Sequence, residues 1–224
     1  MKRLALIIAT LALGCTMMAQ THYEGNVSIG AKGGVTLSRI QFNPNVKQSF
    51  LPGMMVGVTC RYMEERHFGL IAEVNMEQRG WKENIEGYDY KFNRRLTYIQ
   101  IPILTHIYFG SNKFHGFFNA GPEIGFMIAE STTANFDYKN LPADFPTLNR
   151  HNEQFTLPVK SKFDYGISAG LGIEFIARNK SSFNLEGRFY YGLRNVFSDH
   201  KKDIFAGSSS MSLMITLGYA YRVK

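Results

Sequence analysis

Long charged residues recur in this sequence at every second position, separated by apolar or small ones. Glu73, Glu77 and Arg79 sit in the frame EVNMEQR, Glu186 and Arg188 in LEGRF, Glu123 between Gly121 and Gly125, and Glu174 between Ile173 and Phe175. Lys32, Arg61 and Arg222 hold the same kind of position elsewhere. Neighbouring carboxylates are the equipment of general acid–base catalysis, and carboxylates beside guanidinium groups are that of ion-pair networks. The spacing decides between them. Successive β side chains point to opposite faces, so residues i and i+2 share a face. All of these charges therefore gather on one side of a sheet whose other side is apolar.

The stretch 163–193 shows the two faces most clearly. Tyr165, Ile167, Ala169, Leu171, Ile173 and Phe175 alternate with Asp164, Gly166, Ser168, Gly170, Gly172 and Glu174. After a turn at 177–182 the pattern resumes, with Phe183, Leu185, Phe189, Tyr191 and Leu193 against Asn184, Glu186, Arg188 and Tyr190. In a water-soluble sandwich the polar face would look into bulk solvent, yet here it is mostly glycine, serine and carboxylate. A small barrel in a bilayer fits better, with lipid against the apolar face and a packed polar lumen inside.

Eight such segments run through the chain, at 27–38, 53–62, 68–79, 96–109, 114–129, the two strands of 163–193, and 209–223. Each is long enough for a tilted strand of roughly 9–11 residues across the hydrocarbon. The connections alternate long and short: 39–52, 63–67, 80–95, 110–113, 130–162, 178–181 and 194–208. Short periplasmic turns and longer extracellular loops are the habit of outer-membrane barrels, as is an even strand number. The expected fold class is all-β, an eight-stranded antiparallel up-and-down transmembrane β-barrel with both termini periplasmic.

Residues 1–19 read as a signal peptide: Lys2 and Arg3, an apolar run from Leu4 to Leu13, then TMMA before Gln20. Cys15 offers a rival, lipidation at that cysteine, which Leu13 opposes because a small residue is preferred there. The barrel domain then occupies 20–224. Composition agrees. The 224 residues are 14% aromatic with 21 glycines and 7 prolines. The mean hydropathy of −0.17 excludes a helical membrane protein but not a barrel, whose alternation hides its apolar content. After removal of the signal Cys60 is the remaining cysteine, so no internal disulfide forms. The formal net charge of +7 lets a basic surface meet acidic headgroups or lipopolysaccharide. Nothing points to nucleic acid.

GAKGGVTLS at 30–38, AEVNMEQRGW at 72–81, YIQIPIL at 98–104, NAGPEIG at 119–125, GLGIEF at 170–175 and LEGRFYYGL at 185–193 resemble the PorT-like outer-membrane β-barrel proteins of Bacteroidetes. The resemblance spans the mature chain in order. It implies an eight-stranded barrel; the family's name-giving member serves type IX secretion, which makes an assembly factor of that machinery the alternative role, one that barrel motifs alone do not assign. The ending YAYRVK departs from the terminal aromatic usual in such barrels, though Tyr219 and Tyr221 can serve.

An eight-stranded interior is just wide enough for side chains. Lys32, Arg61, Glu73, Glu77, Arg79, Glu123, Glu174, Glu186, Arg188 and Arg222 are therefore expected to neutralise one another as a structural network, since buried charges are normally paired. A lipid-active enzyme needs a nucleophile, base and orienter together at one rim. Of the histidines, His151 and His200 fall in outer loops, without a nearby G-x-S-x-G, and His106 falls low in the lumen. No His/Cys spacing suggests zinc. The expectation is a monomeric, non-enzymatic structural or anchoring protein with no catalytic, cofactor or metal residues. Its partners would be outer-membrane lipid, lipopolysaccharide and a secretion or envelope protein. Two further points can be checked on the structure. Pro102 lies mid-strand and calls for a bulge or a carbonyl left to water. Aromatics should ring the two interfaces, with Tyr62, Phe68, Tyr108, Phe109, Phe114, Phe175, Phe183, Tyr219 and Tyr221 at the periplasmic end. Trp81, Tyr88, Tyr90, Phe163, Tyr165, Tyr191 and Phe197 would lie toward the outer end.

Overall fold

The computed structural model describes residues 25–64, 67–85, 87–111, 113–146, 151–177, 180–197 and 205–223. The expected signal segment lies outside these residues. Eight strands follow in order: β1 (Asn26–Asn43), β2 (Leu51–Met63), β3 (Phe68–Asn84), β4 (Lys91–Gly110), β5 (Phe114–Ala134), β6 (Phe163–Ile176), β7 (Ser181–Asn195) and β8 (Gly207–Arg222). Each pairs antiparallel with the next, and β1 pairs with β8, which closes an up-and-down barrel and removes every free edge. Short turns join the strands at one end, here the turn end, where both the first and last strands also terminate. The long connections gather at the other, the loop end.

The alternation read from the sequence sorts the side chains. Ile29, Val58, Ile103, Leu171 and Leu217 face outward, the last two 66% and 68% exposed. Lys32, Glu73, Asn75, Glu123, Ser168 and Arg188 face inward and are buried. This is the reverse of a water-soluble protein, in which burying apolar area drives folding. An exterior of this kind is stable only against hydrocarbon.

The strands run from 13 residues in β2 to 21 in β5, longer than expected at the loop end. The pairs Asn84↔Lys91 and Phe92↔Ala134 carry β3, β4 and β5 up into a tall wall, so the loop expected at 130–162 begins only at 135. Gly80 sits within that wall at φ +149°, where a Cβ would run into the Arg94 carbonyl oxygen. Only glycine fits there without strain.

Pro102 needs no bulge. The β3–β4 ladder passes from Ala72↔Ile103 to Asn75↔Gln100 in unchanged register, with the missing N–H on the β3 side, while Pro102 stays opposite Glu123 on β5. The bulge falls higher up, between Thr97 and Tyr98, where the partner jumps from Ala129 to Met127 and leaves Ile128 extra. That extra residue reverses the phase of β5, and Glu130 meets inward-facing Arg94. A bulge re-aims a side chain in this way.

The aromatic girdles are partly as expected. Tyr62, Phe68, Phe109, Phe114, Phe175, Phe183, Tyr219 and Tyr221 are exposed toward the turn end, and Tyr165 toward the loop end. Trp81 and Phe197, however, are buried at 0% and 3% exposure. Trp81 shares the inward register of Arg79, two residues before it, so it points into the barrel. Tyr108 shares the face of His106 and stacks on that ring at 5.8 Å inside the turn-end mouth.

Candidate functional site

The interior divides into a charged lumen and, above it, an aromatic core at the loop end. Glycine makes room for the charges. At Gly57 a Cβ would collide with the Asn75 side chain, so the long lumen residues of β3 spread over bare backbone.

Arg79 is the centre of the upper lumen. Its Nε donates to Glu77 Oε2 (2.9 Å), Nη2 to Glu123 Oε1 (2.6 Å) and Nη1 to Asp164 Oδ2 (3.2 Å). Its guanidinium lies 3.7 Å from the centroid of the Tyr190 ring. Three carboxylates face one cation, and neutral donors complete the shell: Tyr190 O–H donates to Asp164 (2.9 Å) and Ser168 O–H to Glu123 (2.5 Å). Arg holds such a cluster where Lys cannot, because its planar fork presents several donors in fixed directions.

Toward the turn end, Arg188 grips Glu73 with both terminal nitrogens (2.7 and 3.0 Å) and Glu186 through Nε and Nη2 (3.0 and 2.8 Å). Lys32 Nζ stands 2.6 Å from Glu73 and 3.7 Å from Glu186, so two cations meet two carboxylates. Asn119 donates to Glu186 (2.8 Å) and lies 2.7 Å from His106 Nδ1, the structural contact of that histidine. Lower still, Arg61 pairs with Glu174 at 2.7 Å. Of the sequence-predicted network, Arg222 stands apart. Strand β8 ends at that residue, so its side chain is exposed and borders the mouth beside Arg61, His115 and Glu174.

Three charged members of the interior, Asp164, Arg94 and Glu83, stand outside the network expected from the sequence. Asp164 stands in the same inward register as Gly166 and Ser168, so its period was legible. Arg94 and Glu83 lie on the strand extensions beyond the segments expected there, and continuing the alternation from Leu96 and Arg79 would have reached them. Arg94 is the hinge between lumen and loop. Its Nε donates to Glu130 (2.6 Å), its Nη1 to the Leu157 carbonyl (2.6 Å) and to the Gln154 carbonyl (3.3 Å). Gln154, fully buried, donates to both oxygens of Glu83 (3.1 and 3.2 Å), which also accepts from Trp81 Nε1 (3.1 Å).

Around these polar pins packs the aromatic core: Phe42, Trp81, Phe92, Phe145, Phe155, Phe197 and Phe205, with Ile40, Val46, Ile85, Leu96 and Val196. Phe92 and Phe155 lie 4.6 Å apart between centroids, and Phe42 meets Trp81 edge-on at 5.6 Å. The loop 135–162 contributes Phe136 and Phe145, 5.1 Å apart, and Tyr90 stacks against both. At its exposed tip Asp137 accepts from the backbone N–H groups of Asn140 and Lys139, which hold its carboxyl below the usual carboxylate range.

Two cavities beside the lower network measure about 30 Å³ each, room for a water or two. Among the described residues no group of three or more His, Cys, Asp or Glu stands together as a metal site. The carboxylates that could do acid–base work are already spanned by cations and hydroxyls. The arrangement holds each of these carboxylates against a cation and against hydroxyl or amide donors, and it fills the lumen with side chains.

A closed eight-stranded barrel with an apolar exterior and a filled, ion-paired lumen defines an integral outer-membrane β-barrel protein. The chain belongs to the family described as outer membrane protein beta-barrel domain, whose model matches residues 18–198. Its place is accordingly the outer membrane. Among solved structures the chain is similar to the outer membrane protein OprG from Pseudomonas aeruginosa, at 15% identity and TM-score 0.51, covering 87% of this chain and 95% of that one. It is also similar to Neisserial surface protein A, at 9% identity and TM-score 0.49, covering 89% and 99%. At these identities the likeness is one of fold. No curated protein matches the sequence.

Proposed function

We propose that this protein is a closed, monomeric, non-enzymatic barrel that anchors an ordered loop surface at the outside of the cell. The observation that carries this reading is the pinning of loop 135–162. Arg94 and Glu83 bind its backbone and its Gln154 side chain, and Phe145 and Phe155 enter the core. A loop that merely closed a turn would not bring so much buried aromatic surface to one place, whereas binding surfaces are built on loops fixed by a rigid scaffold. In the orientation we infer, the short turns and both termini are periplasmic and the loops extracellular. Residues 1–19 act as a signal peptide removed on export, which N-terminal sequencing of the mature protein tests. The alternative is an assembly factor of type IX secretion, which the resemblance to PorT-like proteins raises but barrel motifs alone do not carry; loss of secretion on deletion would favour it.

Single cysteines report the orientation. In a Cys60→Ser background, Asn84→Cys and Asn140→Cys should react with an impermeant maleimide on intact cells, and Ser111→Cys should react only after the outer membrane is opened. Labelling at position 111 in intact cells would reverse the barrel.

A further inference from the structure

The outward face of the barrel is not symmetrical between its two ends. On the flank made by β1 to β4, Arg39, Lys82 and Arg95 all project from the loop end. Among the described strand residues of β1 to β4 no acidic side chain shares that face, because Glu73, Glu77 and Glu83 of β3 all point inward and are buried. Among the described residues none of the three cations is paired with a carboxylate. A short stretch of chain draws them together. The Ser49 N–H donates to the Lys82 carbonyl (2.7 Å), the Arg39 guanidinium lies 5.5 Å over the Phe50 ring, and Arg95 Nη2 donates to the Pro52 carbonyl (3.3 Å). The side chains of Arg39 and Arg95 and the backbone of Lys82 therefore border the four residues 49–52, on strands about 4.8 Å apart.

Directly below them the wall turns greasy. Val35, Leu37, Met54, Val56 and Met76 are all exposed, Met54 at 65%. The step from cations to bare apolar wall occurs along single strands: Arg39 follows Leu37 on β1, and Lys82 lies three outward positions above Met76 on β3. A ligand that matches this flank carries anionic groups and several acyl chains on one molecule. Guanidinium groups take phosphate oxygens in a fork, while lysine supplies a mobile point charge.

We propose that the β1–β4 flank is a binding site for the phosphorylated lipid A portion of lipopolysaccharide. Its phosphates lie among Arg39, Lys82 and Arg95, and its acyl chains lie along Val35, Leu37, Met54 and Met76. The placement in the outer leaflet rests on the orientation inferred above. Binding in a reconstituted disc does not depend on that orientation, so the two readings fail separately.

The test uses the mature protein refolded into phosphatidylcholine nanodiscs and titrated with lipid A, with bound lipid counted by native mass spectrometry. The triple variant Arg39→Gln, Lys82→Gln, Arg95→Gln should bind lipid A on the order of a hundredfold more weakly, three surface cations being lost. A control variant at the opposite end, Lys180→Gln with Arg222→Gln, should bind as the parent does. Dephosphorylated lipid A should bind the parent protein as weakly as lipid A binds the triple variant. Equal affinity for the phosphorylated and dephosphorylated lipids would overturn the site, and that comparison needs no variant to fold. So would equal loss in the control variant, or full competition by phosphatidylglycerol, which would reduce the site to a general attraction for anionic lipid.

Discussion

The charged lumen and the aromatic core fill the same barrel by opposite means. Below, Arg79 and Arg188 knit carboxylates from β3, β5, β6 and β7 into networks of ion pairs. Above, Trp81, Phe92, Phe155 and Phe197 pack as the interior of a soluble domain does, with Arg94 and Gln154 as polar pins. The lumen is closed by the strands themselves, whereas the core is closed by residues that come in from four connections, Val46, Ile85, Phe145 with Phe155, and Val196 with Phe205. The difference implies a division of labour. Breaking an ion pair in the lumen strands a buried charge, while trimming the core leaves a cavity into which loops can settle.

The first prediction sets the scale of that contrast. Arg79→Ala leaves Glu77, Glu123 and Asp164 facing one another and should cost about 3–5 kcal/mol, read as a lowered urea midpoint in detergent. An unchanged midpoint would mean that the network contributes filling alone. Trp81→Ala, at the heart of the aromatic core, should cost about 3 kcal/mol, the low end for a buried aromatic, because the loops above it can collapse. If it cost more than Arg79→Ala, the ranking of the two regions would be inverted.

Phe155→Ala sharpens the comparison by trimming the core from the loop side, where Phe155 meets Phe92 of β4. The barrel midpoint should hold, while protease cleavage within 135–162 should quicken roughly tenfold, equivalent to about 1.4 kcal/mol of local opening. Cooperative loss of the whole barrel would show that loop and barrel fold as one unit. The smallest effect is expected at the loop tip. The Asp137 carboxyl is held below its ordinary range, so its contribution to the turn is present above that range and fades as pH falls through the lowered value. Amide chemical shifts of Lys139 and Asn140 should titrate below about pH 4 with no change in the barrel signals. Shifts that move near neutral pH would assign the turn to another group.

The lumen was far more legible in the sequence than the core, for a physical reason. Period-two alternation fixes the face of every strand residue, so Lys32, Glu73, Arg79 and Arg188 could be placed inside from spacing alone. Closure into eight strands followed from the segments and the alternation of loop lengths. Trp81 obeyed the same register yet was assigned to a girdle, because an aromatic near a strand end suits an interface equally well. Phe145 and Phe155 lie in an irregular segment with no period to read, and their burial depends on four connections meeting. Glu130 escaped because the bulge at Ile128 reversed the phase of β5, and nothing in the sequence around it announces a bulge.

The central claim is that the barrel is sealed at two levels, and the current through a single refolded molecule in a planar bilayer tests it most directly. With cavities of only about 30 Å³ beside the lower network, the account predicts no stable conductance in molar salt. Steady steps proportional to salt concentration would contradict it, and would mean that the lumen charges line a path for ions instead of binding one another.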